Sequence, residues 1–330
     1  MSEQLLIDQL DEAIDAIMTG GEATALTTDE QALTELVSLS AELRLLPRES
    51  FKTSLRAALG RSTAMTTSGT QIQESAKPTA AVNHTITPYL TVKRAEQLVD
   101  FVKQAFGAVE VFRTVGSAGG LHAEVTIGES KLMIGGYEAV EEMPMALHLY
   151  VPDADAVYER ALAAGATSLE EPVDQFYGDR EAGVIDASGN FWYIATHKLG
   201  PAGTYIPEGM RPVTPAMAIV GTAAFIEFMQ AAFAAEEVSR HQSPEGIIQH
   251  AVMRIGDSMI ELGEAHGIAQ PMPPALFLTV ADVEASYERA IAAGATSLQP
   301  PIDQAYGRTA WVKDAWGNTW YLTAPIETGK

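Results

Sequence analysis

Two stretches of this chain are near-copies of each other, so whatever one folds into, the other folds into as well. Glu159 to Leu169 returns almost unchanged as Glu288 to Leu298, and the Asp174-Gln175-Phe176-Tyr177-Gly178 run returns as Asp303-Gln304-Ala305-Tyr306-Gly307. Gly189 to Tyr193 returns as Gly317 to Tyr321, Thr87-Pro88 as Thr214-Pro215, and His122-Ala123 as His250-Ala251. The offset stays between 127 and 129 throughout, which marks duplication of a whole domain rather than of a short motif.

Each copy reads as strand, helix and three strands, twice over. In the first copy Ile86 to Val92 predicts a strand, and residues 94–106 predict a helix ended by Gly107. Short β-rich runs follow near 110–115, 122–128 and 130–135. The order restarts at Ala146 to Val151, with Asp153 as N-cap of a helix ending at Gly165 and a last strand from Phe191 to Thr196. The predicted domains are 85–198 and 213–326, separated by a Gly/Pro-marked linker over 199–212.

Residues 1–61 read as three amphipathic helices. Leu6, Leu10, Ala13 and Ile17 recur at helical spacing before Gly20-Gly21, Thr28 and Gln31 have capping-box spacing, and a third helix follows Pro47. Residues 62–84, rich in Ser, Thr, Ala and Gln, read as a linker.

Forty-three acidic against 21 basic residues leave a formal charge of −22, which repels a polyanion and argues against a nucleic-acid partner. There is no cysteine, so disulfides, thiolate metal sites and cysteine nucleophiles are excluded. The start has no basic and apolar signal pattern and no run is long enough for a bilayer span, so the expectation is a cytoplasmic protein with no membrane partner. No serine lies in a nucleophile-elbow motif.

The module order, together with Leu147 to Asp153, Arg160 to Ala166, Tyr177-Gly178-Asp179-Arg180 and Asp186 to Asn190, resembles the vicinal oxygen chelate superfamily. That group contains glyoxalase I, extradiol dioxygenases and bleomycin-resistance proteins, and the likeness is nearest to its PhnB-like branch. It implies an α+β fold of tandem glyoxalase-like domains, each of paired βαβββ modules with curved mixed sheets. The N-terminal helices are loosely similar to segments of bacterial anti-sigma factors around Leu46 to Phe51.

Catalytic members of that superfamily hold a divalent ion with His, Gln or Glu on the strands. Carried across residue by residue, their four ligand positions fall at Thr87, Met133, Ala146 and Tyr193 in the first copy and at Thr214, Glu261, Ala275 and Tyr321 in the second. The first copy offers no good ligand, and one carboxylate among the four positions of the second is too few unless nearby residues help. Strand alternation puts His148 on the face of Ala146, so Glu261 and His148 meet if the copies pair face to face. By the register the resemblance implies, Tyr89, Met133, Tyr193, Met217 and Tyr321 line an apolar cup with hydroxyl tips.

His122, His148 and His250 each read either as ligand contacts or as satisfied polar groups. Tyr177 and Arg180, with their repeats Tyr306 and Arg308, read either as turn locks or as contacts to a ligand anion. The leading expectation is a protein that binds a small molecule, by sequestration or sensing, with no cofactor. One alternative is a lyase or dioxygenase using one divalent metal ion at Glu261 and His148. A second is a regulatory adaptor whose residues 1–61 dock a protein partner. Pairing of the copies is expected within the chain, since duplication supplies both halves of a two-fold arrangement, with a homodimer as the alternative.

Overall fold

A computed structural model describes residues 84–115, 119–175, 177–201 and 203–324. The chain divides into two compact units, residues 1–75 and 76–330, and every described residue lies in the second. The helices expected within 1–61, and the linker expected over 62–84 apart from His84, lie outside the described residues.

Four βαβββ modules follow one another. The first comprises β1 (Ile86–Thr91), α1 (Ala95–Phe106), β2 (Val109–Val115), β3 (Leu121–Ile127) and β4 (Ser130–Gly136). The second comprises β5 (Ala146–Tyr150), α2 (Ala154–Ala163), β6 (Thr167–Asp174), β7 (Asp179–Ile185) and β8 (Phe191–His197). The third comprises β9 (Val213–Ile219), α3 (Thr222–Phe233), β10 (Glu236–Gln242), β11 (Ile248–Ile255) and β12 (Ser258–Glu264). The fourth comprises β13 (Ala275–Thr279), α4 (Val283–Ala292), β14 (Thr296–Gln304), β15 (Gly307–Lys313) and β16 (Thr319–Ala324).

Local chemistry accounts for the helix boundaries. Asp153 and Asp282 cap α2 and α4 by accepting the amides of Ala156 and Ala285. Gly107 ends α1 at φ 70°, a left-handed conformation that a side chain would disfavour. Leu98, Val99, Val102 and Phe106 recur at helical spacing and bury one face of α1. Among the described residues, no helix is long and apolar enough to cross a membrane.

The modules assemble into two eight-stranded mixed sheets whose order crosses the copies. The first sheet runs β14-β15-β16-β13-β1-β4-β3-β2, and the second runs β10-β11-β12-β9-β5-β8-β7-β6. Each is joined at its centre by one antiparallel pair: β1 with β13, register Pro88↔Leu276, and β5 with β9, register Leu147↔Pro215. The two modules of one copy therefore do not share a sheet. They touch through their helices, where Arg160 of α2 donates to the Ala105 carbonyl in α1 and Arg289 of α4 to the Ala232 carbonyl in α3.

One face of each sheet packs on its helices and carries the core. Leu90, Leu132, Ile134, Trp320 and Leu322 do so in the first sheet, and Leu147, Leu149, Trp192 and Ile194 in the second, all fully buried. Both tryptophans are tied down by an aspartate. Asp186 accepts from the amides of Ser188 and Asn190 and from Trp192 Nε1, and Asp314 repeats the pattern with Trp316, Asn318 and Trp320. With the tryptophans turned inward, period-two alternation sends Tyr193 and Tyr321 to the opposite, cup-like face.

Candidate functional site: two unlike cups

The first cup is aromatic. On β1, Tyr89 lies 5.7 Å from the His122 ring, 5.7 Å from Phe277 and 5.9 Å from Tyr321. Phe277 and Tyr321 are 4.8 Å apart, and Trp311 stands edge-on to Tyr321 at 5.3 Å. Only glycine at 135 permits this, since a Cβ there would fall 2.2 Å from Tyr89 Oη. Burial pushes the Tyr89 phenol up, and burial together with Tyr89 and Tyr306 pushes Tyr321 up to about 12. Burial also holds His122 below its ordinary value. The aromatic groups are thus neutral at pH 7, and the Glu124–Lys131 pair (2.8 Å) balances itself further along that face.

Two donors in this cup stand out. Trp311 Nε1 and Gln299 Nε2 are buried and have no hydrogen-bond partner among the described residues, and the two residues are register partners on β15 and β14. Buried N–H groups are nearly always paired, so two together need an acceptor.

The Tyr321 value carries a test. Its folded pKa lies above that of the unfolded chain, so its contribution is present below pH 10 and lost as pH rises toward 12. Stability is expected to fall by roughly 1–3 kcal/mol more across that window in the wild type than in Tyr321→Phe. Equal losses in urea titrations of the two proteins would refute this.

The second cup is ionic. His148 on β5 places Nδ1 2.9 Å from Glu261 Oε2 and Nε2 3.0 Å from Glu181 Oε2. An ionised carboxylate only accepts, so between two of them both ring nitrogens donate and the arrangement suits an imidazolium. Burial opposes that charge, but Glu261 and Glu181 outweigh it and hold His148 well above its usual value. Conversely, burial would raise Glu261, yet His148 and His250 hold it well below the usual carboxylate range. Tyr150 stacks on the His148 ring at 4.7 Å and donates to Glu261 Oε1 at 3.4 Å. Tyr177 donates to Glu181 at 3.1 Å, and His197 Nδ1 donates to Asp179 at 2.5 Å.

The duplication shows how far the cups have diverged. By repeat offset and strand register, His148 corresponds to Phe277, Tyr150 to Thr279, Glu181 to Thr309 and Glu261 to Met133, while Gly307 holds the strand position of Asp179. In the other direction Tyr89 corresponds to Ala216 and Trp311 to Gly183. One scaffold carries a neutral aromatic surface and a charged one.

The sequence-predicted residues distribute as follows. Thr87, Tyr89, His122, Met133 and Tyr321 fall in the first cup, with Tyr306 near its mouth, where its phenol feels Tyr89 and Tyr321. Tyr177, Tyr193, Thr214, His148, His250 and Glu261 fall in the second. His148 and Glu261 do meet, though edge to edge within one sheet and not face to face, because β5 pairs with β9. His250 is half exposed and reaches Glu261 at 3.4 Å.

Three expectations are corrected. Met217 lies among the core residues behind β9, at the wall of a cleft of about 220 Å³ bounded by Pro271, Pro273 and Trp316, so it lines no cup. Arg180 pairs with Asp155 and Asp174, and Arg308 with Glu284 and Asp303, on the helix side of the outer strands. Neither arginine faces a cup. Asp179, Glu181, Tyr150 and His197 were not among the sequence candidates. Their signal was available: Asp179 and Glu181 alternate with the core residues Ala182 and Val184, and Glu181 is not repeated in the second copy.

The crossed topology also regroups the superfamily's ligand positions. Thr87, Met133, Ala275 and Tyr321 share the first sheet, and Ala146, Tyr193, Thr214 and Glu261 the second. With one carboxylate among eight positions, neither set fits a divalent ion held in the superfamily's manner.

Two curved mixed sheets built from βαβββ modules define a glyoxalase-type protein. The chain belongs to the glyoxalase/bleomycin resistance protein/dioxygenase superfamily, which matches residues 81–194 and 216–322. An uncharacterised protein of Mycobacterium tuberculosis (strain H37Rv) is 36% identical over 126 residues, covering 34% of this chain and 74% of its own length. Among solved structures, glyoxalase I from Zea mays is similar at TM-score 0.56 and 14% identity, covering 72% of this chain and 91% of the maize chain. A putative dioxygenase from Bacillus subtilis gives TM-score 0.50 and 14% identity, covering 73% of this chain and 84% of its own. At such identities the likeness is one of fold.

Proposed function

We propose that this protein binds a planar, largely apolar small molecule in its first cup, without a metal, as a sequestering or sensing protein of the PhnB-like kind. The observation that carries the reading is the pair of buried, unpartnered donors, Trp311 Nε1 and Gln299 Nε2, within an aromatic lining. A ligand with an aromatic body and an acceptor oxygen stacks on Tyr89, Phe277 and Tyr321 and satisfies both donors. The neutral His122 and the neutral phenols favour an uncharged ligand.

The test is titration calorimetry of the full chain against a panel of planar aromatic ketones and phenols, with and without chelator. Binding is expected to be unaffected by chelator, to weaken about tenfold in Tyr89→Ala through lost stacking, and to weaken several-fold in Trp311→Phe through the lost N–H. Absence of binding across the panel, or equal affinity in both variants, overturns the reading.

A further inference from the structure

The second cup is unused by that reading, and it holds the densest group of ligating side chains among the described residues. His148, Asp179 and Glu181 each offer one ligand atom, and these atoms lie within 4.8 Å of one another. Donors about 2.0–2.2 Å from a shared ion stand roughly 3–4.4 Å apart, so a side-chain adjustment of at most about half an ångström brings the cluster to metal-ligand spacing. The side chains of His148, Glu181 and Asp179 are 10%, 11% and 6% exposed, so water does little to screen them.

We propose that the second cup binds one first-row divalent cation through His148 Nε2, Asp179 and Glu181, with Glu261 as a positioning residue for the imidazole. These ligands come from β5 and β7, not from the superfamily positions that the fit test rejected.

Three features of the geometry support the assignment. First, the outer partners are in place. A metal-bound histidine characteristically donates its other ring N–H to a carboxylate, and His148 Nδ1 already donates to Glu261 at 2.9 Å. Tyr177 donates to Glu181 and His197 to Asp179, so each candidate ligand is itself held. Second, the charges favour it. Asp179, Glu181 and Glu261 bring three carboxylates around the buried His148 ring, with His197 at Asp179 and the half-exposed His250 at Glu261 as the other basic groups. A divalent ion adds positive charge among them where burial makes it most valuable. Third, the set is specific to one cup, since the duplicate offers Phe277, Gly307 and Thr309 at the same places. A merely structural ion pair is not required by the fold, because the first sheet is built without it.

Binding exchanges the Nε2 proton of His148 for the ion and releases that proton to solvent. The donor set of one imidazole and two carboxylates, with no sulfur, suits Mn²⁺, Fe²⁺ or Zn²⁺. Three protein ligands leave coordination positions open toward the cup.

The experiment uses the untagged full chain, stripped with chelator and exchanged into clean buffer. Mn²⁺ is titrated by loss of the free-ion paramagnetic resonance signal, and Zn²⁺ is titrated while the ring nitrogens of the seven histidines are followed by ¹⁵N resonance. One ion per chain is expected, with micromolar or tighter affinity and a large shift at His148 Nε2 rather than Nδ1. Glu181→Gln and Asp179→Asn should each weaken binding at least about 100-fold. Glu261→Gln should cost about 10–100-fold while leaving the stoichiometry at one. Asp303→Asn, at an exposed carboxylate of the first sheet, should leave cation binding unchanged. No binding at millimolar ion, equal affinity in Glu181→Gln and Asp179→Asn, or a shift at Nδ1 overturns the assignment. The resonance measurement on the wild type decides the matter even where a variant fails to fold. Aromatic-ligand binding in the first cup is measured in chelator, so either proposal can fail without the other.

Discussion

Replacement of His148 by alanine is expected to destabilise the cation-free fold by about 3–5 kcal/mol, the usual cost of removing one partner from a buried ion pair. The imidazolium sits between Glu181 at 3.0 Å and Glu261 at 2.9 Å, whose side chains are 11% and 8% exposed. Without it, Glu181 and Glu261 keep Tyr177, Tyr150 and His250 as their donors among the described residues. Those neutral or solvent-facing groups replace little of the lost Coulomb attraction. The duplicate suggests a control. The triple variant His148→Phe, Glu181→Thr, Glu261→Met installs the residues of the first cup, removing His148 together with its two carboxylate partners and leaving Asp179 paired with His197. Because replacing all the partners of a buried ion pair by uncharged residues is often neutral, the triple variant should recover most of what the single variant loses. Urea denaturation at pH 7 in chelator measures both. A single variant within 1 kcal/mol of wild type, or a triple variant as unstable as the single, would show that the cluster is not held by charge.

Much of this fold is written in local sequence. The capping aspartates at 153 and 282, Gly107 and the period-two runs each act within a few residues, and the repeat offset doubles every signal. What local chemistry does not encode is which module pairs with which. That is decided where β1 meets β13 and β5 meets β9, between residues some 70 to 190 positions apart, by the fit of two apolar strand edges. The ligand positions, gathered copy by copy from the sequence, were therefore split between two sheets. Alternation alone, applied strictly, separates Met217 from Thr214, since an odd step along β9 changes face. It likewise sends Arg180 to the helix side and Glu181 to the cup. Tyr177-Gly178-Asp179-Arg180 reads as a turn between strands, whereas β7 already begins at Asp179, and that start puts Asp179 on the cup face with Glu181.

Trp320→Ala is expected to cost about 3–5 kcal/mol, and the mechanism separates into two measurable parts. The indole is fully buried, packs on Phe233 at 4.5 Å and donates from Nε1 to Asp314 at 2.9 Å. Alanine removes the volume and leaves a cavity behind the first sheet. Trp320→Phe retains most of the volume and deletes only the donor, so about 1–2 kcal/mol is expected from it. Asp314→Ala probes the same knot from the acceptor side. It strands the amides of Trp316 and Asn318 together with the indole N–H, at a cost of about 3 kcal/mol. Since Asp314 and Trp320 share one hydrogen bond, the Asp314→Ala, Trp320→Phe double variant should fall short of the sum of the singles. Strict additivity in denaturation midpoints would show that the aspartate acts on the turn alone. The same experiment at Asp186 and Trp192 repeats the test behind the second sheet. Equal coupling there would mean that the knot serves the fold, whatever chemistry the two cups have acquired.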